Sequence, residues 1–340
     1  QEMLLPDLEW YVLHFFVLWG IFFVSLDYAT RFNDEDAFHS LFWAGFLFGM
    51  LGLVVHLNHD LAGLAACAAL LHALVAAADL RVAAWLPRAR PFCLFKAAGL
   101  LVSAALFAVL ATKSHAGGME RAILWAYVGV EPLRILAFLG VAWSAGQLRG
   151  WDVPMSLEHM VHRLQGAHMM IIVCSFLFPI ALQGDKFCSS WSAAACVLLA
   201  NVYAVCLKLI IFDTSPFQHT NDKEALQLHA IRRSRTTALL FTFSYPLTML
   251  GIALAGVGFV AAINSKDESM VRARICGGTA LWLGTLALHK ALHKAVKPRV
   301  HVVKAALVGG AACACLVIQA LALSALATLG ACTAAVALAL

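Results

Sequence analysis

Residues 236–263 read TTALLFTFSYPLTMLGIALAGVGFVAAI, a stretch that contains no Asp, Glu, Lys, Arg or His. A helix of about 20 apolar residues is enough to cross the hydrocarbon core of a bilayer, which is roughly 30 Å thick. The length and uniform apolarity of this segment therefore predict a transmembrane helix.

Comparable apolar runs fill the rest of the chain. The sequence is 62% hydrophobic and only 13% charged, and its mean hydropathy is +0.83, so it has too few polar side chains to cover a water-soluble surface of its size. We predict an all-α, polytopic transmembrane helical bundle that forms a single domain over residues 1–340, with about ten or eleven spans. The expected spans are 8–28, 38–57, 61–78, 94–112, 122–143, 167–184, 191–211, 236–263, 275–290, 302–319 and 322–340.

Lysine and arginine are concentrated in alternate loops, as expected where the cytoplasmic loops of a membrane protein carry the positive charge. We therefore place the loops after the odd-numbered spans in the cytoplasm and expect the lipid bilayer as the main partner. The net charge of +5 is then a topology signal, and no nucleic acid is expected to bind. The basic residues of these loops include Arg31, Arg81, Arg88, Arg90, Lys96, Arg149, Arg163, Lys223, Arg232, Arg233, Arg235, Lys290, Lys294, Lys297, Arg299 and Lys304.

One charge pair is expected near the middle of the fifth span. In AYVGVEPLRILAF, Glu131 and Arg134 are three residues apart, so they can pair on one face of a helix. Pro132 lies between them, removes a backbone donor and is expected to kink the helix. A charge pair beside a kink is typical of transporter sites. A structural pair that holds the span against a neighbour is the alternative.

Two further kinds of ionisable residue are candidates for function. Asp27 and Arg31 are spaced i, i+4 at the end of the first span, and we expect either a structural pair or a gate that contacts the basic segment 81–96. Neutral imidazoles within or beside the membrane can relay protons. The histidines considered for that role are His56, His72 and His168.

Motifs for other chemistry are missing. The sequence contains no HExxH or CxxC pattern, no Walker loop and no nucleophile elbow. No metal site and no cofactor are therefore predicted, and an enzyme is less expected than a non-enzymatic membrane protein.

Four segments follow one another along the chain: LDYATRFNDED at 26–36, EHMVHRLQGAHMMIIV at 158–173, KLIIFD at 208–213 and FTFSYPLTMLGIALAGVGF at 241–259. Taken in this order, they resemble the low-temperature-requirement A family of membrane proteins. Positions that match the family motifs are Tyr28, Arg31, Phe32, Asp34, Glu35, Asp36, His159, Arg163, Gly166, Ile171, Ile172, Asp213, Pro246, Gly251 and Gly258.

The resemblance has two departures. The family's opening helix, in which a glutamate and an aspartate flank an aromatic pair, is expected to be missing here. A glycine–glutamate pair expected in the sixth span is replaced by Cys174, Ser175 and Phe176. Since the biochemical role of the family is poorly defined, the resemblance implies a fold more than an activity.

Three functions are open on the sequence alone. The preferred hypothesis is a permease or channel-like carrier of a small solute or ion. The second is a non-transporting scaffold or accessory subunit of a larger complex or homo-oligomer. Gly45 and Gly49 form a GxxxG face, which is expected to pack within the chain in preference to a dimer interface. The third is a membrane redox or metal protein that uses histidines.

Overall fold

The computed structural model describes residues 5–32, 36–57, 60–113, 119–144, 153–177, 190–213, 229–264, 267–293, 298–321 and 323–339. The regular structure in these ranges is helical, without strands. Nine of the described helices are long and apolar enough to cross a membrane. The predicted all-α helical membrane class is therefore confirmed.

The first of two compact units comprises residues 3–160. Asp36 caps the second helix by accepting the His39 backbone amide, and Asp60 caps the third by accepting the amides of Ala62 and Gly63. Polar side chains thus begin helices that are apolar along most of their length. The helices of this unit are α1 Leu5–Arg31, α2 Ala37–His56, α3 Leu61–Trp85, α4 Arg90–Lys113 and α5 Met119–Ser144.

Small residues allow close packing inside the first unit. A Cβ atom on Gly49 of α2 would lie 2.7 Å from Leu71 Cδ2 of α3, and one on Gly45 would lie 3.6 Å from Leu74 Cδ1. The GxxxG face therefore packs within the chain, against α3. Helix α3 also packs along α4, and buried alanines such as Ala68 and Ala76 line its core side.

The second compact unit comprises residues 161–340. Helix α6 passes directly into a π-helical turn, and so does α7. The helices are α6 Leu157–Ile172 with the turn Val173–Leu177, α7 Trp191–Lys208 with the turn Leu209–Asp213, α8 Ala230–Arg233, α9 Arg235–Asn264, α10 Glu268–Leu292, α11 Pro298–Ala320 and α12 Ala325–Leu338.

Helices α9 and α10 cross with their backbones in contact. A Cβ atom on Gly251 would lie 2.6 Å from the Trp282 backbone nitrogen, and one on Gly278 would lie 2.5 Å from the Ala255 backbone nitrogen. Only glycine fits at either position without moving a main chain. Small residues of α9 thus pack directly against α10.

The helix ends differ from the predicted spans at one important place. Helix α3 runs to Trp85 and α4 begins at Arg90, so their connection is only residues 86–89. Asp79 and Lys96 consequently lie inside helices. The predicted spans 275–290 and 322–340 are not among the nine described helices that are long and apolar enough to cross a membrane. They correspond to α10, which carries Glu268, Arg272, Arg274 and Lys290, and to α12, which has only 14 residues.

Candidate functional site

Four charged side chains meet in the first unit, and we call them the buried charge cluster: Asp27 and Arg31 of α1, Asp79 of α3 and Lys96 of α4. Lys96 Nζ lies 2.8 Å from Asp27 Oδ2 and 3.4 Å from Asp79 Oδ2. Arg31 Nε donates to the other oxygen of Asp27, Oδ1, at 2.8 Å. Two carboxylates thus share two cations, and the formal charges of the cluster cancel.

The helices carry these charges well inside the protein. Asp79 lies six residues before the end of α3, and Lys96 lies six residues after the start of α4. At about 1.5 Å per residue, each is roughly 9 Å from its helix end. The Asp79 and Lys96 side chains are 0% and 1% exposed, so water does not solvate either charge.

Asp79 is the more weakly held of the two carboxylates. Charge-assisted N–H···O bonds are about 2.7–2.9 Å long. The contact of Lys96 with Asp27 falls in that range, whereas its 3.4 Å contact with Asp79 does not. Asp27 also forms an ion pair with Arg31. Protonation of Asp79 would therefore weaken fewer and longer contacts than protonation of Asp27.

Arg31 connects the cluster to a neighbouring segment. Its guanidinium donates to the Val153 carbonyl and lies over the Phe92 ring, with Cζ 4.7 Å from the ring centroid. The Ser156 backbone amide donates to the Thr30 carbonyl at 2.9 Å. The end of α1 is thus joined to the segment that precedes α6.

A chain of hydrogen bonds leads from the start of α2 towards the cluster, and we call it the Asp36–His39–Tyr28 chain. Asp36 Oδ1 lies 2.8 Å from His39 Nδ1, and His39 Nε2 lies 2.8 Å from Tyr28 Oη. Lys96 Nζ lies 5.9 Å from the centroid of the Tyr28 ring. Both His39 and Tyr28 are buried.

Asp36 also contacts Arg81 of α3 through its other oxygen. The hydrogen bond from Arg81, and after it the bonds from the His39 backbone amide and ring, hold the pKa of Asp36 well below its usual range. Asp36 is therefore ionised at neutral pH. It holds α2 to α3 through Arg81 and to α1 through His39.

The predicted pair in α5 is described only in part. Helix α5 continues through Pro132 without interruption. The Arg134 side chain packs on Gly99 of α4, and its charge acts on Asp79. The Glu131 side chain lies outside the described residues. Arg134 therefore belongs to the surroundings of the buried charge cluster.

The predicted relay histidines lie in different environments. His56 is at the end of α2, where Nδ1 lies 3.8 Å from Asp60 Oδ2 and the side chain is 39% exposed. His72 is fully buried in α3: its Nδ1 donates to the Ala68 carbonyl at 2.8 Å, and its Nε2 lies 3.1 Å from Tyr127 Oη. No described contact joins these two histidines.

His168 lies in the second unit, where it lines a cavity of about 100 Å³. His168 is buried in α6, and its Nδ1 lies 2.6 Å from Tyr245 Oη of α9. Three more histidines line the same cavity. They are His229, His289 and His293.

The remaining matches to the family motifs are spread along the chain. Phe32 packs on the Tyr28 ring, with centroids 5.5 Å apart. His159 and Arg163 are exposed on α6. Asp34 and the side chain of Asp213 lie outside the described residues. Of the matched positions, Tyr28, Arg31 and Asp36 belong to the buried charge cluster or the hydrogen-bonded chain beside it.

Sequence reasoning missed Asp79 and Lys96 because it placed both beside a basic loop. A signal was present: an acid and a base stand at nearly equal distances from the Pro87 turn, on consecutive apolar helices. Two helices joined by a short loop are antiparallel, so residues at equal distances from that loop come level with each other. His39 was missed because it follows an acidic run that looks like a solvated loop.

Comparisons with curated proteins and with solved structures found no match. The family model described as bacterial low temperature requirement A protein (LtrA) matches residues 5–339, which is nearly the whole chain. The resemblance seen in the sequence is thereby confirmed. This helical membrane protein, with its charge cluster enclosed by α1, α3 and α4, belongs to the LtrA family.

Proposed function

We propose that this protein is a proton-coupled carrier of a small solute or ion, and that the buried charge cluster is its coupling site. The single observation that carries the proposal is Lys96, an enclosed cation that lies between the carboxylates of Asp27 and Asp79. Ionisable groups inside membrane helices are costly, and they commonly belong to ion or proton pathways.

The cluster can couple a proton to a change of conformation. In the unprotonated cluster, Lys96 is attracted by two carboxylates and the formal charges cancel. A proton that adds to Asp79 removes one of these attractions, and Lys96 then pairs with Asp27 alone. The cluster gains one positive charge at Lys96, which is almost fully buried, and this favours either a rearrangement of α3 and α4 or the arrival of an anion.

The Asp36–His39–Tyr28 chain supports a route for that proton. Ionised Asp36 can only accept, so His39 Nδ1 carries the ring proton and Nε2 accepts from the Tyr28 hydroxyl. A proton that leaves the cluster would enter at Tyr28 Oη as the phenol proton passes to Nε2 and the Nδ1 proton passes to Asp36, which releases it to solution. Each group of the chain then ends with the number of protons it had before, and the cluster has lost one. Both hydrogen bonds of the chain are 2.8 Å long, a length suited to proton transfer.

The orientation in the membrane is part of the proposal. Asp36 contacts Arg81, and the end of α1 contacts the segment 153–156, so these contacts support placing three of the basic loops at one end of the first unit. The positive-inside rule makes that end cytoplasmic. The proton route would therefore open to the cytoplasm.

Proteoliposomes test the proposal. Proton movement would be followed with an entrapped pH-sensitive dye while monocarboxylates, amino acids, ammonium and alkali cations are added one class at a time. We expect at least one class to move protons through the wild type and none to do so through Asp79→Asn. Arg88→Gln and Glu158→Gln are matched controls, because both side chains are exposed.

The opposite result would support the scaffold. Silence of the wild type with every class, together with a loss of stability in Lys96→Met that Asp79→Asn restores, would leave the cluster as a helix lock. A metal function receives no support from the part of the chain that the structure describes, where no group of three or more His, Cys, Asp or Glu side chains is arranged to hold a metal ion.

A further inference from the structure

The cavity of the second unit is unusual in being lined by imidazole rings. It measures about 100 Å³ and lies among α6, the end of α7, α9 and α10, with His229 just before α8. The four histidines are between 1% and 6% exposed. Such a concentration of buried imidazoles has a cost unless their polar atoms are used. The polar wall of the cavity includes His168, His229, Tyr245, His289, Lys290 and His293.

Hydrogen bonds fix which ring nitrogens carry the protons on two of these histidines. His168 Nδ1 lies 3.1 Å from the Leu164 carbonyl, which can only accept, and 2.6 Å from Tyr245 Oη, whose hydroxyl donates to that carbonyl at 3.3 Å. Nδ1 is therefore the protonated nitrogen, and it donates to Tyr245 Oη. Ser244 Oγ donates to the Leu240 carbonyl at 2.6 Å and must therefore accept from His289 Nε2 at 2.9 Å. His168 Nε2 and His289 Nδ1 are left with lone pairs.

The other two histidines complete the pattern. His293 Nδ1 donates to the His289 carbonyl at 2.5 Å, so its Nε2 is basic. His229 Nδ1 accepts the Ile231 backbone amide at 3.2 Å, so its Nε2 carries the proton and can donate. Burial, and after it the neighbouring His293, lowers the pKa of His229 to about 2, which keeps this ring a neutral donor.

The charged groups around the cavity are positive. Helix α10 contributes Lys290 to the wall, Arg232 of α8 acts on His229, and Lys304 of α11 acts on Lys290. Helix α7 contributes the apolar Ile210 and Ile211. None of the described residues that line the cavity is a carboxylate. This electrostatic environment favours an anion over a cation.

We propose that this cavity binds a small monocarboxylate, of the size of formate or acetate, together with one proton that a cavity histidine takes up. The proton comes from solution and adds to a lone pair on a ring nitrogen, and no other bond changes. The resulting imidazolium faces the carboxylate, so the bound pair adds no net charge to the buried site. Lys290 adds a further positive charge to the cavity wall.

The size of the cavity limits the ligand. An apolar cavity of about 150 Å³ is large enough for benzene. The cavity here is smaller, at about 100 Å³, and polar on one side. Formate and acetate fit this volume, and an aromatic carboxylate such as benzoate does not.

Calorimetric titration of the purified full-length protein with sodium acetate tests the proposal. Runs in two buffers of different ionisation enthalpy give the number of protons taken up, and we expect about one per acetate. With one proton bound per ligand, affinity should fall about tenfold for each pH unit above neutrality. Because this is a binding measurement on the second unit, it does not depend on whether the protein transports a solute.

Two variants keep the hydrogen bonds but remove the basic nitrogens. In His168→Asn the amide nitrogen replaces Nδ1, and in His289→Gln it replaces Nε2. We expect the double variant to lose both acetate binding and proton uptake. His159→Gln, which changes an exposed histidine of α6, should bind like the wild type. Wild-type titrations with formate, benzoate and chloride provide a test that needs no variant to fold.

Four results would overturn the proposal. They are acetate binding by the wild type that is weaker than millimolar, binding without proton uptake, benzoate binding as tight as that of acetate, and chloride binding as tight as that of acetate. The last would show a site for any small anion, without preference for a carboxylate.

Discussion

Replacing Lys96 by methionine tests the energetics of the buried charge cluster most directly. Methionine keeps most of the aliphatic volume and removes the ammonium group. Asp27 would retain Arg31 at 2.8 Å, but Asp79 would lose the cation that lies 3.4 Å from it while remaining 0% exposed. Removing one partner of a buried pair costs about 3–5 kcal/mol, because the other charge is left without compensation.

The large loss of stability expected for Lys96→Met follows from the position of Asp79. Six residues separate it from the end of α3, so its carboxylate cannot reach water by turning a side chain. The double variant Asp79→Asn with Lys96→Met removes the stranded charge, and it should recover most of the lost stability. A strong coupling between the two changes is expected, since they share one contact.

Unfolding in mixed detergent micelles measures these free energies. Wild type, both single variants and the double variant complete a cycle, and the exposed Arg88→Gln should stay within about 0.5 kcal/mol of the wild type. A Lys96→Met protein whose free energy of unfolding lies within about 1 kcal/mol of the wild type would refute the reasoning, because a buried carboxylate that has lost its contact with Lys96 should cost more than that.

Three further predictions follow from the packing and the hydrogen bonds. Because folding lowers the pKa of Asp36, its stabilising effect is complete above its ordinary value of about 3.9 and is lost as the pH falls through the lowered value. The melting temperature difference between wild type and Asp36→Asn should therefore stay constant from pH 7 to about pH 5 and vanish only in stronger acid. His39→Phe should cost about 1–3 kcal/mol by removing the partner of the buried Tyr28 hydroxyl, and adding Tyr28→Phe should restore stability in the same melting assay. Gly251→Val should cost about 3 kcal/mol or more by pushing apart two backbones, measured as loss of the folded peak in size-exclusion chromatography.

Each of these has its own check. A D36N difference that already disappears at pH 6 would contradict the lowered pKa. Tyr28→Phe that fails to rescue His39→Phe would show that His39 matters through packing alone. Gly277→Ala is the matched control for the glycine change, since a Cβ there meets no atom within 4 Å.

The helical class was within reach of the sequence because each span is decided by its own composition. The Asp27–Arg31 contact was within reach as well, since both residues are on one helix at i, i+4. The pair Asp79–Lys96 was not. It depends on how two helices are aligned, which the pattern along a single helix does not specify.

The hydropathy pattern also concealed the Asp79–Lys96 pair. It ends a span where a charge appears, so it assigned Asp79 and Lys96 to the region of a loop. The contact of His168 with Tyr245 was missed for a related reason, because the two residues are 77 positions apart and belong to different helices. A buried polar pair between two helices does not change the hydrophobic periodicity of either helix, so the sequence pattern does not reveal it.

The glycine crossing of α9 and α10 limits how the second unit can change shape. At this crossing the backbone nitrogen of Trp282 lies against Gly251, and the backbone nitrogen of Ala255 lies against Gly278. Side chains normally let packed helices slide by changing rotamer, but here no side chain lies between the two main chains. Helices α9 and α10 must then move together as a rigid pair. Any opening of the histidine cavity has to come from α6, the π-helical end of α7 or the His229 segment, which close its other side.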